Sequence, residues 1–394
     1  MTAAMPSVAE YRDRVQRVQA AMATRSLAAL VVADPANIYY LVGYDAWSFY
    51  TPQCLIVPAV GDPHFFARTM DAAGARFGAD LGPERVHGYP EELVHRPDRH
   101  PYQWICQRAK EIGLLPDDGQ IAVEADAHFF SVRGYLALAE LCGADRLIDS
   151  AELINWVRVI KSDYEQDQLR RAGRICSVAM ATALDVIEPG VRQCDAVAAI
   201  SSAQIAGVDD QGGDYPAIVP LLPTGAGAGV PHLTWTGDRF VGGEVTTIEL
   251  TGVSRRYHAP LARTVMLGRP PRRLSLVAGV VGDGMAAVLE LIKPGVTADE
   301  VHAAFDAVLA RHQLIKESRL GYSIGIGYPP DWGERTISLR TGDQTQLRSK
   351  MAFHVIAGMW ADGWGYELSE SILVTDAGAE RLTDVDQVLR VKGR

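Results

Sequence analysis

The sequence predicts an α+β fold: an internally duplicated C-terminal α+β domain behind a smaller N-terminal α/β domain. Three observations carry that expectation. The chain has 394 residues, more than one hydrophobic core usually supports. Its first part alternates helix-period and strand-like stretches. Its second part holds one arrangement twice, a helix, a Pro-Gly turn and a second helix, centred on IEPGV (187–191) and IKPGV (292–296), 105 residues apart.

Taken in order, Val8, Tyr11, Val15, Val18 and Met22 recur at helical steps, and LAALVVAD then reads as a buried strand ending at Asp34-Pro35. Further strands are expected at QCLIVP, HFFAR and QIAVE, with a helix around SVRGYLALAELC, so this domain is assigned residues 1–158. Ser162 with Glu165 three positions on forms a capping box that opens a long helix carrying Leu169, Ala172, Ile175 and Ala179 on one face, and the second domain is assigned 159–394. Strand-like segments follow each helix pair: first AIVPLLP, VTTIEL and YHAPLARTVML, later MAFHVIAGMW and ELSESILVT. Two helix pairs on one face of a curved sheet leave the other face free for a pocket on the pseudo-twofold axis.

Composition narrows the function classes. The 38 basic and 48 acidic residues give a net charge of -10 with no Lys/Arg run, which argues against a nucleic-acid or anionic-membrane surface and for a small-molecule partner. Charges precede any apolar run at the start, and eighteen consecutive apolar residues occur nowhere, so neither a signal peptide nor a membrane span is expected and the location is cytoplasmic. Five scattered cysteines without CxxC spacing read as buried free thiols.

The C-terminal half resembles the creatinase and aminopeptidase P superfamily, the pita-bread enzymes, and can be laid on their metal-site motifs. Metallopeptidases of this superfamily carry two aspartates eleven residues apart before an Arg-Thr pair; the aligned residues are Glu249 and Pro260, with Arg263-Thr264 kept. The later histidine falls on Tyr322, the first glutamate on Ile356, and the second on Ser369 or, one residue over, on Glu370. One or two surviving ligands cannot hold a dinuclear site, so no metal and no cofactor are expected. What survives is PHLTW, with His232 where the resemblance implies a histidine for proton transfer.

A finer resemblance, to the ectoine hydrolases, runs through GYDAWSFY, GGDYPAIVPLLP, PHLTW, RYHAPLART, GYSIGIGYPPDWGER and ELSESILVT. It implies opening of a cyclic amidine by water without a metal, giving N-acetylated 2,4-diaminobutyrate, with ectoine as substrate and 5-hydroxyectoine as a second candidate. It also implies a homodimer in which Trp47 or Tyr50 acts on the other subunit's site, and a deacetylase as downstream partner enzyme. A protonated amidine is already electrophilic, so protonation can replace a Lewis acid. Glu249 is then the candidate nucleophile or base, His232 the acid, and Glu370 a third catalytic group, with Glu367 ranked below it.

Candidate substrate contacts are the aromatics Trp47, Phe49, Tyr50, Tyr215, Trp235, Tyr322, Trp332 and Trp360, able to line a pocket for a delocalised cation. Arg263 is a candidate for the substrate carboxylate, and Asp214, His258, Glu334 and His354 complete the polar set. Structural readings stand beside these: Arg263 as part of a structural Arg-Thr pair, Glu249 in a salt bridge, any lone aromatic as core. A creatinase-like amidinohydrolase and a catalytically silent binding module remain the alternatives at this level.

Overall fold

A computed structural model describes residues 5–361 and 363–393. They fall into two compact units, Met5–Val157 and the chain from Arg158 onward.

The N-terminal unit runs α1 (Val8–Thr24), β1 (Leu27–Val32), α2 (Pro35–Val42), β2 (Cys54–Pro58), β3 (His64–Arg68), α3 (Thr69–Gly78), β4 (Val86–Tyr89), α4 (Pro101–Glu111), β5 (Gln120–Val123), α5 (Val132–Cys142), β6 (Leu147–Asp149) and α6 (Leu153–Arg158). Ser7 caps α1, and its Tyr11, Val18 and Met22 are buried at helical spacing. The six strands order as β4-β3-β2-β1-β5-β6, with β1, β5 and β6 parallel and β1, β2 and β3 antiparallel. The short β4 and β6, three or four residues each, are the strands that the hydrophobic pattern missed.

The C-terminal unit begins with α7 (Asp163–Val186), whose Ser162 and Glu165 form the reciprocal capping box, and α8 (Gln193–Ala206). Then come β7 (Val245–Ser254), β8 (Tyr257–Leu267), α9 (Arg272–Leu291), α10 (Ala298–Ala310), β9 (Gly321–Tyr328), β10 (Asp331–Leu339), β11 (Ala352–Ala361), β12 (Trp364–Thr375), β13 (Gly378–Arg381) and β14 (Arg390–Lys392). The order is β13-β12-β11-β9-β8-β14, with β7 paired to β8 and β10 to β9. By length and composition α9 could cross a membrane. Here its Leu274, Val277, Val281, Met285 and Val288 are buried in the protein core.

AIVPLLP is not a strand. Pro220 and Pro223 lack the N–H a ladder needs, so the segment contributes an isolated bridge, Leu221 to Glu249, and Thr224 just after it makes another to Thr246.

Strand alternation gives this sheet two unlike faces. Ile248, Leu250, Leu261 and Val265 pack beneath α7 and α8, while Phe353, Val355, Leu368 and Ile372 pack with α9 and α10. The opposite face carries Thr247, Glu249 and Thr251 of β7, in register with Thr264, Ala262 and Pro260 of β8. Across the seam from β8 lies β12, and hydroxyls close that seam. Thr264 Oγ1 donates to the Glu367 carbonyl and accepts from the Glu367 N–H, the Ala262 N–H donates to Ser369 Oγ, and Ser371 Oγ donates to the Pro260 carbonyl. Hydroxyl residues at alternate positions therefore join the two halves of the duplication while leaving side chains from both facing one space.

Candidate active site

The five positions aligned with metal ligands are brought together on this second face. Glu249 and Pro260 lie on β7 and β8, Ile356 pairs with Ser369 across β11 and β12, and Tyr322 pairs with His354 across β9 and β11. Their donor set does not fit a dinuclear metal centre: one carboxylate, a phenol and a hydroxyl remain, with Pro and Ile at the other two positions. Among the described residues no group of three or more His, Cys, Asp or Glu could hold a metal ion.

Glu249 is 6 % exposed, and burial pushes its carboxyl up to about 7. Glu367, two positions before Ser369 on the same face of β12, is also buried and is held well above the usual carboxylate range, first by burial and then by the charge of Glu249. Lys316 opposes that rise, and burial in turn lowers its ammonium to about 8. Glu367 thus lies within range of the charges of both Glu249 and Lys316. The carboxyls keep their protons to higher pH than usual and give them up when an organic cation enters, because a positive charge stabilises both carboxylates.

Beside this pair runs a chain of hydrogen bonds. The Trp332 indole N–H donates to Tyr322 Oη (2.8 Å), Tyr322 Oη meets His354 Nδ1 (3.0 Å), and His354 Nε2 meets Ser369 Oγ (2.7 Å), which accepts the Ala262 N–H (2.6 Å). Burial lowers His354 to about 3, with the charge of Arg319 adding to it, so the ring is neutral at pH 7. Tyr322 is held above the usual phenol range by burial and the nearby Glu249 charge. Trp360, half-buried, lies across Gly358 and Gly365 on the same face as His354.

Several sequence expectations are corrected. Glu370 points to the other face of β12 and is saturated there: Arg263, Arg381, Thr383 and Gln387 all donate to its carboxylate. Its oxygens are committed to those donors rather than to the face that carries Glu249. Arg263 belongs to the same knot, with the carbonyls of Ala262, Ser369, Val385 and Asp386 taking its other donors, so it is not a substrate clamp. Glu334 is buried against Lys161 at 2.7 Å and Arg158 at 3.7 Å and is an internal ion pair. His258 accepts the Ala217 N–H at Nε2, so Nδ1 carries the proton and donates to the Arg256 carbonyl; both ring nitrogens are spent on backbone. Asp214 accepts from the Arg256 N–H, and the Arg256 guanidinium stacks 3.5 Å from the Tyr215 ring, so both residues shape the β7–β8 turn. Trp235 packs on the core under α7 and α8.

His232 is exposed, with a left-handed φ of 65°. Its loop borders the site: the Leu222 N–H donates to the Leu233 carbonyl, and Leu221 is bridged to Glu249. In the N-terminal unit Trp47 and Tyr50 are exposed, whereas Phe49 is buried against Phe129. Sequence reasoning ranked Glu367 too low and passed over Ser369 as a side chain in its own right and Lys316 altogether.

Residues 167–376 match the metallopeptidase family M24, and residues 14–160 match the creatinase/prolidase N-terminal domain. The chain is 41 % identical over 393 residues to the ectoine hydrolase of Halomonas elongata, covering 97 % of each chain. It is 40 % identical to an uncharacterized hydrolase/peptidase of Sinorhizobium fredii, covering 98 % of each. Among solved structures, dipeptidase PepE of Mycobacterium ulcerans superposes with a TM-score of 0.81 at 22 % identity, over 98 % of this chain and 99 % of that one. A prolidase from Thermococcus sibiricus superposes with a TM-score of 0.84 at 18 % identity, over 99 % of this chain and all of that one. At those identities the likeness concerns the fold alone.

Proposed function

We propose that this chain, which belongs to the metallopeptidase family M24 and is a hydrolase, opens the cyclic amidine ring of ectoine with water and without a metal ion, giving N-acetyl-2,4-diaminobutyrate. The observation that carries this reading is the buried Glu249–Glu367 pair, set where the M24 ligand positions otherwise hold a phenol, a hydroxyl, Pro and Ile. The 41 % identity to a protein named ectoine hydrolase supports the choice of substrate.

An amidinium entering beside Glu249 and Glu367 draws both toward their charged forms. The Glu249 carboxylate then adds to the amidinium carbon, forming a C–O bond, and the bond from that carbon to one ring nitrogen breaks as the nitrogen takes a proton. Water attacks the same carbon, expels Glu249, and leaves the acetamide oxygen; its two protons end on the freed ammonium. His232, exposed at the border of the site, exchanges one of them with solvent.

The test incubates EDTA-treated, metal-analysed protein with ectoine and, in parallel, with creatine, and follows both by NMR. Loss of the ring signals with appearance of the acetylated diamino acid is expected in the first tube alone. Turnover of creatine, or turnover of ectoine that needs added divalent metal, would overturn the proposal.

A further inference from the structure

The chain Trp332, Tyr322, His354, Ser369, Ala262 is closed at both ends by groups that can only donate, an indole N–H and a backbone N–H. Between them, a neutral His354 and the two hydroxyls hold three protons, and two internal bonds, Tyr322 to Nδ1 and Ser369 to Nε2, consume two. One hydroxyl proton is always left over. In one arrangement Ser369 donates to Nε2, Nδ1–H donates to Tyr322, and the Tyr322 O–H is turned outward. In the other, Tyr322 donates to Nδ1, Nε2–H donates to Ser369, and the Ser369 O–H is turned outward. Both ends lie on the face that carries Glu249: the Glu249 charge reaches Tyr322, and Ala262, which holds Ser369, is the register partner of Glu249.

We propose that Tyr322, His354 and Ser369 form a neutral proton relay that takes up a proton at Ser369 from the attacking water and releases one at Tyr322 to the freed ring nitrogen. This rests on the hydrolase reading above. The step balances without a charged intermediate left on the relay. As water attacks, Tyr322 gives its outward proton to the freed ring nitrogen and completes its ammonium, Nδ1–H moves to Tyr322, the Ser369 proton moves to Nε2, and Ser369 takes a proton shed by that water in the same step. The imidazole has changed tautomer and is otherwise as before; rotation of the two hydroxyls with the reverse internal transfers resets it. Hydrolysis sends two protons from water to nitrogen, and the relay carries the one that does not pass through His232. Tyr322 is the catalytic end of the relay, and Trp332 is a positioning residue that keeps one Tyr322 lone pair filled.

Two readouts test this. In the first, His354→Asn keeps polar groups in place but removes tautomeric transfer. The expected result is a folded but less stable enzyme with ectoine KM unchanged, kcat lowered by about 10²-fold, and a solvent-deuterium proton inventory that changes from bowed to linear. A rate near wild type, or a slower enzyme with an unchanged bowed inventory, would overturn the relay. The second readout needs neither variant nor turnover: ¹⁵N-histidine NMR of the intact protein, with and without ectoine. Exchange between the two His354 tautomers, or a switch between them on binding, supports the relay. One fixed tautomer under both conditions, with unequal pyrrole-type and pyridine-type nitrogens, overturns it even if His354→Asn fails to fold. If the wild-type protein leaves ectoine intact, the substrate assignment fails and the tautomer measurement still decides the relay.

Discussion

The two faces of β12 each carry a fully buried glutamate, and the two are opposite in kind. On the helix-side face, Glu370 is surrounded by Arg263, Arg381, Thr383 and Gln387, so its charge is compensated many times over. On the open face, Glu367 sits with Glu249 and one lysine whose own charge is disfavoured by burial. A buried carboxylate with every lone pair taken is architecture, because moving it would strand its partners. A buried carboxyl raised by desolvation and by a neighbouring carboxylate is poised to change charge when a cation arrives. Register on a single strand, where an offset of three residues puts the two on opposite faces, separates the two roles.

The sharpest way to break this comparison is to neutralise one glutamate on each face. Glu249→Gln should lower kcat by about 10⁴-fold while leaving the fold intact. It should also alter the pH dependence of stability. Burial keeps Glu249 protonated to about 7, against 4.5 for an unperturbed carboxyl, so its contribution to stability is full below the lower value and is lost as pH rises through the higher one. Glu249→Gln should flatten that stretch of the curve and melt higher than wild type at pH 8. Equal melting temperatures across the range, or activity near wild type, would remove Glu249 from its assigned role. The same protonation makes wild-type kcat/KM fall as pH drops below about 7.

Glu370→Gln should act the other way round. Loss of the charge opposite Arg263, which is 1 % exposed, should cost on the order of 3–5 kcal/mol in denaturant unfolding. Whatever protein remains folded should retain its ectoine KM. A Glu370→Gln enzyme that is stable but dead would reverse the assignment of the two faces. The smallest effect is expected at the seam that holds both faces in register: Thr264→Val removes one donor and one acceptor from Glu367 backbone groups and should cost about 1–3 kcal/mol. A kcat change larger than that stability loss explains would show that the seam also sets the Glu249–Glu367 separation.

Much of the architecture was legible because it rests on local rules. The capping box at Ser162, the helical spacing in α1 and the IEPGV and IKPGV turns express themselves within a few residues, and the structure carries all three. The failures share a cause. AIVPLLP has the composition of a strand, yet its prolines deny it a ladder, and β4 and β6 are too short to show periodicity. At the site, Glu249, Tyr322, Trp332 and His354 were selected by motif position and stand together, whereas Arg263, Glu334, His258 and Trp235 were selected the same way and are spent on internal partners. Residue type and motif position do not reveal whether a partner already occupies a donor.

By itself the sequence determined the duplicated α+β plan and the loss of the metal-binding residue types, since both are written in periodicity and in which side chains exist at given positions. The tertiary structure alone decided that Glu367 rather than Glu370 faces Glu249, and that Tyr322, His354 and Ser369 are linked. The physical reason is that a side chain's chemistry depends on its solvation and on which hydrogen-bonding capacity is left unspent. Both are set by strands distant in sequence, here β8, β9, β11 and β12, which meet only once the sheet has curved.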